Sequence, residues 1–376
     1  MKQTLYDWIF HHFRARWHAA QVDAICFFCT AIIEARSLVI AKVGHAGADN
    51  TGILPRHGIK RSNRLLKNEH FTRELMNESS MANFIRYVNR RKSITIVIDW
   101  TQKHLFMLLS ISLVTDDGRT VPIVWDGYVK GALGECDSQN KIEEALLAKV
   151  LHSLPHQMKV LVLGDRGFHR PEFIKYIRSF GNNIDYIIRI QTGDYMILKG
   201  KEIQISNDLL SKGSARNFGM IEYTKERRFP TRCVAVWEEQ SRDPWILATS
   251  INRVATWTIA KLYANRMGIE AMFKSMKNEV SGLSLKKARL RHIDRWLVLC
   301  FLTTLLLQFF WETAQAMTDD EREYLDGIFS LARHRKRYGS RKYSFSIYYL
   351  MLLLAPRDYI KMMLRDGRII LSVNSP

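Results

Sequence analysis

The stretch Tyr263-Ala-Asn-Arg-Met-Gly-Ile-Glu-Ala-Met-Phe-Lys-Ser-Met-Lys277 is the one around which the rest of the chain reads. Taken as part of one helix over 256–280, at about 100° per residue, it gathers Tyr263, Arg266, Glu270 and Lys277 within roughly 60°. Leu262, Ile269, Met272, Met276 and Val280 fall on a second arc, a core-facing stripe. The polar arc holds one carboxylate flanked by an aromatic hydroxyl and two fixed cations. A carboxylate that binds metal, beside cations that hold phosphate, suits phosphodiester chemistry. A plain surface helix with an Arg–Glu pair worth a few tenths of a kcal/mol would look the same. The choice between the two rests on acids found elsewhere in the chain.

Upstream, the pattern changes at Ser93. Ile94 to Ile98 reads as a β-branched strand closing on Asp99, followed by strands over 105–114 and 120–125 around a turn at Asp116-Asp117-Gly118. A helix over 141–154 leads to a continuous apolar strand, Lys159 to Leu163, which ends in Gly164-Asp165-Arg166-Gly167. A helix from Pro171 to Phe180 and a strand over 185–190 follow. The order βββαβαβ predicts an α/β fold: a mixed sheet with helices on its faces. Residues 191–244 carry short strand-like pieces (195–198, 202–205, 219–223, 233–237) between polar turns and read as a β-rich insertion. Trp245 to Ser250 then resumes a buried strand.

Residues 1–92 read as helical, over Tyr6–Val43 and Arg64–Val88, with a break at Gly44 to Pro55. Small helices with scattered Arg and Lys suit a DNA-binding bundle, of helix-turn-helix kind. The core is expected over 93–190 and 245–317, the insertion over 191–244 and a C-terminal region over 318–376. Trp296 to Trp311 is apolar, but 16 residues broken by Thr303, Thr304 and Gln308 are short for a membrane span. A buried helix, and no membrane, is the expectation. Met1 to Trp17 mixes polar, aromatic and charged residues, unlike a secretory signal.

Composition points the same way. The chain has 376 residues, 47% of them hydrophobic, with 56 Lys and Arg against 37 acids and a net charge of +19. Such an excess favours a polyanion, nucleic acid ahead of anionic membrane. The charge is clustered, at Arg86–Lys92, Lys286–Arg295 and Arg333–Lys342. The five cysteines (26, 29, 136, 233, 300) fit a reducing compartment without a disulfide framework. Cys26-Phe-Phe-Cys29 has metal-ligand spacing but sits in an apolar run with no second pair, so packing is the better reading.

Asp99, Asp165 and Glu270 are separated by 66 and 105 residues. Acids at the carboxyl ends of adjacent strands can converge across a crevice. Three together repel and raise their own pKa values unless cations neutralise them. Hard oxygen ligands select Mg²⁺ or Mn²⁺, and two such ions can serve the attacking and leaving oxygens of a phosphodiester.

With these residues in view, the chain resembles the DDE transposases of bacterial insertion sequences. It is most similar to the hairpin-forming cut-and-paste group with a Tyr-x2-Arg-x3-Glu-x6-Lys signature, here Tyr263, Arg266, Glu270 and Lys277. Ile98-Asp99-Trp100-Thr101 and Gly164-Asp165-Arg166-Gly167-Phe168 add to the likeness, which covers about residues 93–300. It implies an RNase H-like core with Asp99, Asp165 and Glu270 as catalytic ligands of two Mg²⁺ or Mn²⁺ ions. Tyr263, Arg266 and Lys277 would hold backbone phosphates, and Trp237, in the insertion, would stack on a flipped base. It further implies terminal-repeat and target DNA as partners, a homodimeric synapse and a bacterial cytoplasmic, nucleoid-associated location. A nuclease without strand transfer and a non-catalytic DNA-binding derivative are the alternatives.

Overall fold

The computed structural model describes residues 2–116, 118–134, 138–224, 226–278 and 283–315. The expected region 318–376, the run Arg333–Lys342, Cys136, Asp117 and Val280 lie outside them. The chain divides into two compact units, one of residues 1–79 with those from 271 onward, the other Ser80–Glu270. This cut differs from the sequence segments: residues from 271 on group with the N-terminal helices, not with the core assigned to 245–317.

The first unit is helical. It holds α1 (Lys2–Phe13), α2 (Ala19–Ala35), α3 (Ile40–Thr51), α4 (Pro55–Leu66), the first part of α5 (Arg73–Val88) and α10 (Ile293–Gln315). The helix expected over Tyr6–Val43 is split into α1, α2 and the start of α3, and the break expected over Gly44 to Pro55 is confined to Gly52–Leu54, since α3 runs on to Thr51. The glycines there serve close packing. A Cβ on Gly44 would lie 2.5 Å from the Ile59 Cα, one on Gly58 2.0 Å from the Gly44 carbonyl oxygen, and one on Gly47 2.3 Å from the Phe27 ring. Missing side chains let α3 and α4 touch backbone to backbone, which outweighs the ~1 kcal/mol helix penalty of glycine. The helix expected from Arg64 is also split, α4 ending at Leu66 and α5 starting at Arg73. Trp296 to Trp311 is buried within α10, although the helix is long and apolar enough to cross a membrane. Cys26 and Cys29 are buried in α2, as a packing role requires.

The second unit is built on one sheet. Its strands are β1 (Ser93–Lys103), β2 (Phe106–Val114), β3 (Thr120–Val129), β4 (Lys159–Gly164), β5 (Ile184–Arg189), β6 (Tyr195–Leu198), β7 (Lys201–Gln204), β8 (Ala215–Tyr223), β9 (Phe229–Val236) and β10 (Trp245–Thr249). They form a ten-stranded sheet in the order β3-β2-β1-β4-β5-β10-β9-β8-β6-β7. The first five make the RNase H-like arrangement: β2 antiparallel to β1 and β3, with β4 parallel to β1 and β5. Central β4 must be apolar on both faces, and Val160, Val162 and Leu163 are all buried.

α6 (Gln139–His152) lies over β2 and β3, α7 (Pro171–Ser179) against β5, and α8 (Thr256–Ala264) against β8 and β9. The fold is mixed α/β, as the strand pattern predicts. The 191–244 stretch does not make a sheet of its own. β9 pairs with β10, and β8, β6 and β7 continue the same sheet. Alternation marks strands locally; it says nothing about which distant strand completes the ladder.

Candidate active site

Asp99 and Asp165 are set side by side by strand register. The parallel ladder of β1 and β4 ends at the pair Ile98–Gly164, and each strand's next residue is an acid. Neighbouring strands lie about 4.8 Å apart, so the two acids leave adjacent backbone positions. Asp99 is not at the end of its strand, as expected. It pairs with Ser110 of β2, and β1 continues to Lys103 against β2 alone. β4 stops here, so a notch opens beside Asp99. Asp165 turns the chain into a 3₁₀ turn, Arg166–Phe168, and its Oδ1 accepts from the Gly167 N–H at 2.7 Å.

Glu270 comes from α9 (Met267–Lys277). The single helix expected over 256–280 is interrupted. α8 ends at Ala264, and the N–H groups of Asn265, Arg266, Gly268 and Ile269 each bond three residues back. This tightening shifts the helical phase. It follows from a close approach: a Cβ on Gly268 would lie 2.9 Å from the Gly118 carbonyl oxygen and 3.1 Å from Thr120. Ile269, Met272 and Met276 are buried, as the apolar stripe predicts, but Leu262 is only half-buried. Tyr263, placed on the polar arc by a straight helix, is fully buried. Its ring packs edge-on against Trp245, with centroids 5.1 Å apart.

Arg266 ties the acids together. Its Nη1 donates to Asp99 Oδ2 at 3.3 Å, and its Nη2 donates to Glu270 Oε1. Arg266 and Asp99 are buried, whereas the Glu270 side chain keeps 48% of its exposure. The site is therefore sealed below and open at Glu270.

Burial, with the negative charge of Asp165 and then Glu270, pushes Asp99 up to about 7 against the pull of Arg266. The other two carboxylates are thus within electrostatic reach of Asp99. Burial pushes the Tyr263 phenol up to about 12; Arg266 and Arg189 oppose this and Asp165 adds to it. Arg189, at the end of β5, is held below the usual guanidinium range by burial and by the like charges of Arg166 and Arg266.

Three carboxylates lie around one bridging guanidinium, and every donor is a hard oxygen. This set fits Mg²⁺ or Mn²⁺ in its chemistry. Among the described residues, no three His, Cys, Asp or Glu side chains already stand grouped as a metal site. Arg266 spans Asp99 and Glu270 instead.

The structure thus brings Asp99, Asp165, Glu270, Arg266 and Tyr263 together. Arg266, read from sequence as a phosphate holder, here faces the acids. Lys277 belongs to the other unit, at the end of α9, with its ammonium 5.7 Å from the Phe273 ring centroid. Trp237 is half-buried just past β9. Its Nε1 donates to the Ser241 carbonyl at 3.1 Å, and Lys212 sits 5.9 Å from its ring centroid.

The sequence reading missed Glu143, a buried acid on α6 bonded by Trp100 and Arg170. It also missed Arg189 and Trp245. Glu143 had a signal: it shares the helical stripe of Leu146, Leu147 and Val150, where an acid is out of place.

Residues 132–306, just under half the chain, match the family profile described as a transposase DDE domain. The matched stretch contains Asp165, Tyr263, Arg266, Glu270 and Lys277 and begins after Asp99. The match supports a DDE transposase. Among solved structures, the chain is similar to the cryo-EM structure of the piggyBac transposase synaptic complex with hairpin DNA. The TM-score is 0.43 and the identity 10%, over 100% of this chain and 84% of that one. A search of curated proteins finds no match.

Proposed function

We propose that this protein is a cut-and-paste transposase: it cuts DNA at the ends of an insertion sequence and joins the freed ends to target DNA. The observation that carries this reading is Arg266 bridging Asp99 and Glu270, with Asp165 on the strand next to Asp99, three acids distant in sequence in a chain matching a transposase DDE domain. Asp99, Asp165 and Glu270 would hold two divalent ions. Such ions, when bound, supply positive charge to the attacking and leaving oxygens of a phosphodiester.

The chain's own part is positioning. Arg266 holds Asp99 and Glu270 in place and offsets their repulsion until the site is loaded. Exposed Glu270 faces the side from which a DNA strand can approach. The buried floor keeps the acids in fixed rotamers, so that little reorganisation is needed during reaction. On this reading, Lys277 binds backbone phosphate, whereas Tyr263, expected to do the same, is buried against Trp245 and out of reach of a DNA backbone; Trp237 stacks on a displaced base, and a freed 3′-OH attacks the opposite strand to give a hairpin. Two ends cut together call for a homodimer, working at the nucleoid of a bacterial cytoplasm.

DNA is the partner that the charge favours. The basic stripe of α4 supports it further. Arg56, Lys60, Arg64 and Lys67 are exposed, and α4 contains no acid. At about 100° per residue the four fall within roughly 80° of arc. α4 follows α3 after a three-residue turn, Gly52 to Leu54. We assign α4 as the helix that meets DNA in a helix-turn-helix-like pair.

The test is incubation of the purified protein with its element's end DNA and Mg²⁺, resolved on a denaturing gel. Nicks at the ends, hairpins and joined products support the whole sequence of steps. Cutting without end preference or joining would instead favour a nuclease on the same fold.

A further inference from the structure

Glu143 is buried to 1% exposure, yet no step above uses it. Its carboxylate is bonded on every side. Trp100 Nε1 donates to Oε1 at 2.7 Å, Gln139 Nε2 donates to the same oxygen at 3.0 Å, and Arg170 Nη2 donates to Oε2 at 2.6 Å. Two of these donors lie near the catalytic acids in sequence. Trp100 directly follows Asp99, and Arg170, five residues after Asp165, leads into α7 beyond the turn that Asp165 opens. Gln139 is held in turn by the Tyr128 hydroxyl at 2.9 Å, and the Tyr128 ring packs edge-on against Trp100 at 5.5 Å.

The segment after Asp165 has few other anchors. Phe168 is buried in the core, and His169 Nδ1 lies 2.8 Å from the Tyr223 hydroxyl. Its far end at Arg170 is fixed by Glu143. The side chain that links Trp100 of β1 to Arg170, beyond the turn after β4, thus comes from α6, outside the sheet.

We infer that Glu143 is a positioning residue: strand register puts Asp99 and Asp165 on adjacent strands, and Glu143 fixes how the segment after Asp165 sits against β1 by clamping Trp100 and Arg170 to one buried carboxylate. The inference rests on the reading of the three acids as metal ligands. A group that only stabilised the fold would change the melting temperature. A group that fixes how a ligand's segment sits must also change how tightly the ligands hold an ion, and loss of such orienting contacts typically weakens metal binding about ten- to a hundredfold.

The experiment compares full-length wild type with Glu143→Gln, which keeps the shape but sets an amide N–H₂ against Arg170 or Trp100. Mn²⁺ affinity is measured by calorimetry without DNA, alongside thermal melting, duplex binding without metal, and the cleavage rate at saturating DNA. The expected result is a folded variant with Mn²⁺ affinity down about tenfold or more, a slower cleavage step and unchanged DNA affinity. A folded Glu143→Gln that binds Mn²⁺ and cuts as wild type does overturns the inference and leaves the functional reading standing. A wild type that neither binds Mn²⁺ nor cuts DNA overturns both. If Glu143→Gln does not fold, Trp100→Phe removes one donor of the three. A severalfold loss of Mn²⁺ affinity then supports the clamp, and wild-type affinity overturns it.

Discussion

Asp99 with Arg266, and Glu143 with Arg170, are both buried acid–arginine pairs in the same compact unit, yet they are built for different ends. Glu143 meets three donors and lies wholly inside, with Arg170 as an ionic partner. Asp99 shares its arginine with Glu270 and has the charge of Asp165 nearby. Burial lifts both acids. For Glu143, hydrogen bonds from Gln139 and Trp100 and then the Arg170 guanidinium oppose the rise, with Glu144 adding to it; for Asp99, Asp165 and Glu270 add to the rise against Arg266. A saturated carboxylate holds structure. One crowded by its own kind stores a demand for cations, at a cost to the metal-free protein.

The sharpest way to break this contrast is to neutralise the crowded cluster. Asp99→Asn, Asp165→Asn or Glu270→Gln should each lower end cleavage by about a thousandfold or more, the scale of several kcal/mol of lost charge stabilisation. DNA binding without metal should be little changed. A variant that cuts at the wild-type rate, seen on a denaturing gel, removes its residue from the cluster.

The same contrast has a signature in stability. Asp99's folded pKa of about 7 lies above its ordinary 3.8. Its contribution to the metal-free fold is therefore fully present below about pH 4 and lost as pH rises through about 7. Asp99→Asn, which cannot ionise, should stabilise the metal-free protein at pH 8 by up to a few kcal/mol, since one unit is worth about 1.4 kcal/mol. It should do little at pH 4. Melting curves at the two pH values decide this, and an Asn variant that melts lower at pH 8 would mean the charge is already well compensated.

Packing gives a smaller effect. Gly268→Ala forces a Cβ to within 2.9 Å of the Gly118 carbonyl, a backbone atom. Moving α9 away should cost about 1–3 kcal/mol in urea unfolding and slow cleavage by displacing Glu270. Unchanged stability would mean that the helix is not held at that contact. Smallest is the surface: Lys60→Glu and Arg64→Glu in α4 should weaken duplex binding and lower its salt slope by about one per lost phosphate contact. Equal slopes in a salt titration would take α4 off the DNA.

Much of the catalytic half was legible in the chain. An apolar run bounded by Gly-Asp announces a buried strand with an acid at its tip, so Asp165 could be placed. Strand positions such as Tyr195–Leu198 follow from local alternation. What stayed hidden depends on distant partners. The length of β1 is fixed by pairing with β2, and the continuation of the sheet through β9 by pairing with β10. Gly44 and Gly47 read as a helix break because their packing against Ile59 and Phe27 is invisible locally. Tyr263 went to the wrong side because a straight helix was assumed through a turn that Gly268 tightens. Glu143 was legible in principle, as a lone acid on the apolar stripe of α6.

The most direct test of the central claim exchanges a ligand for a softer one. Thiolate binds Mg²⁺ poorly but accepts softer ions. Asp165→Cys should therefore be silent on end DNA in Mg²⁺ and regain cleavage when Mn²⁺ or Cd²⁺ is supplied. An Asp165→Cys protein that cuts in Mg²⁺ as fast as wild type would show that this acid holds no ion.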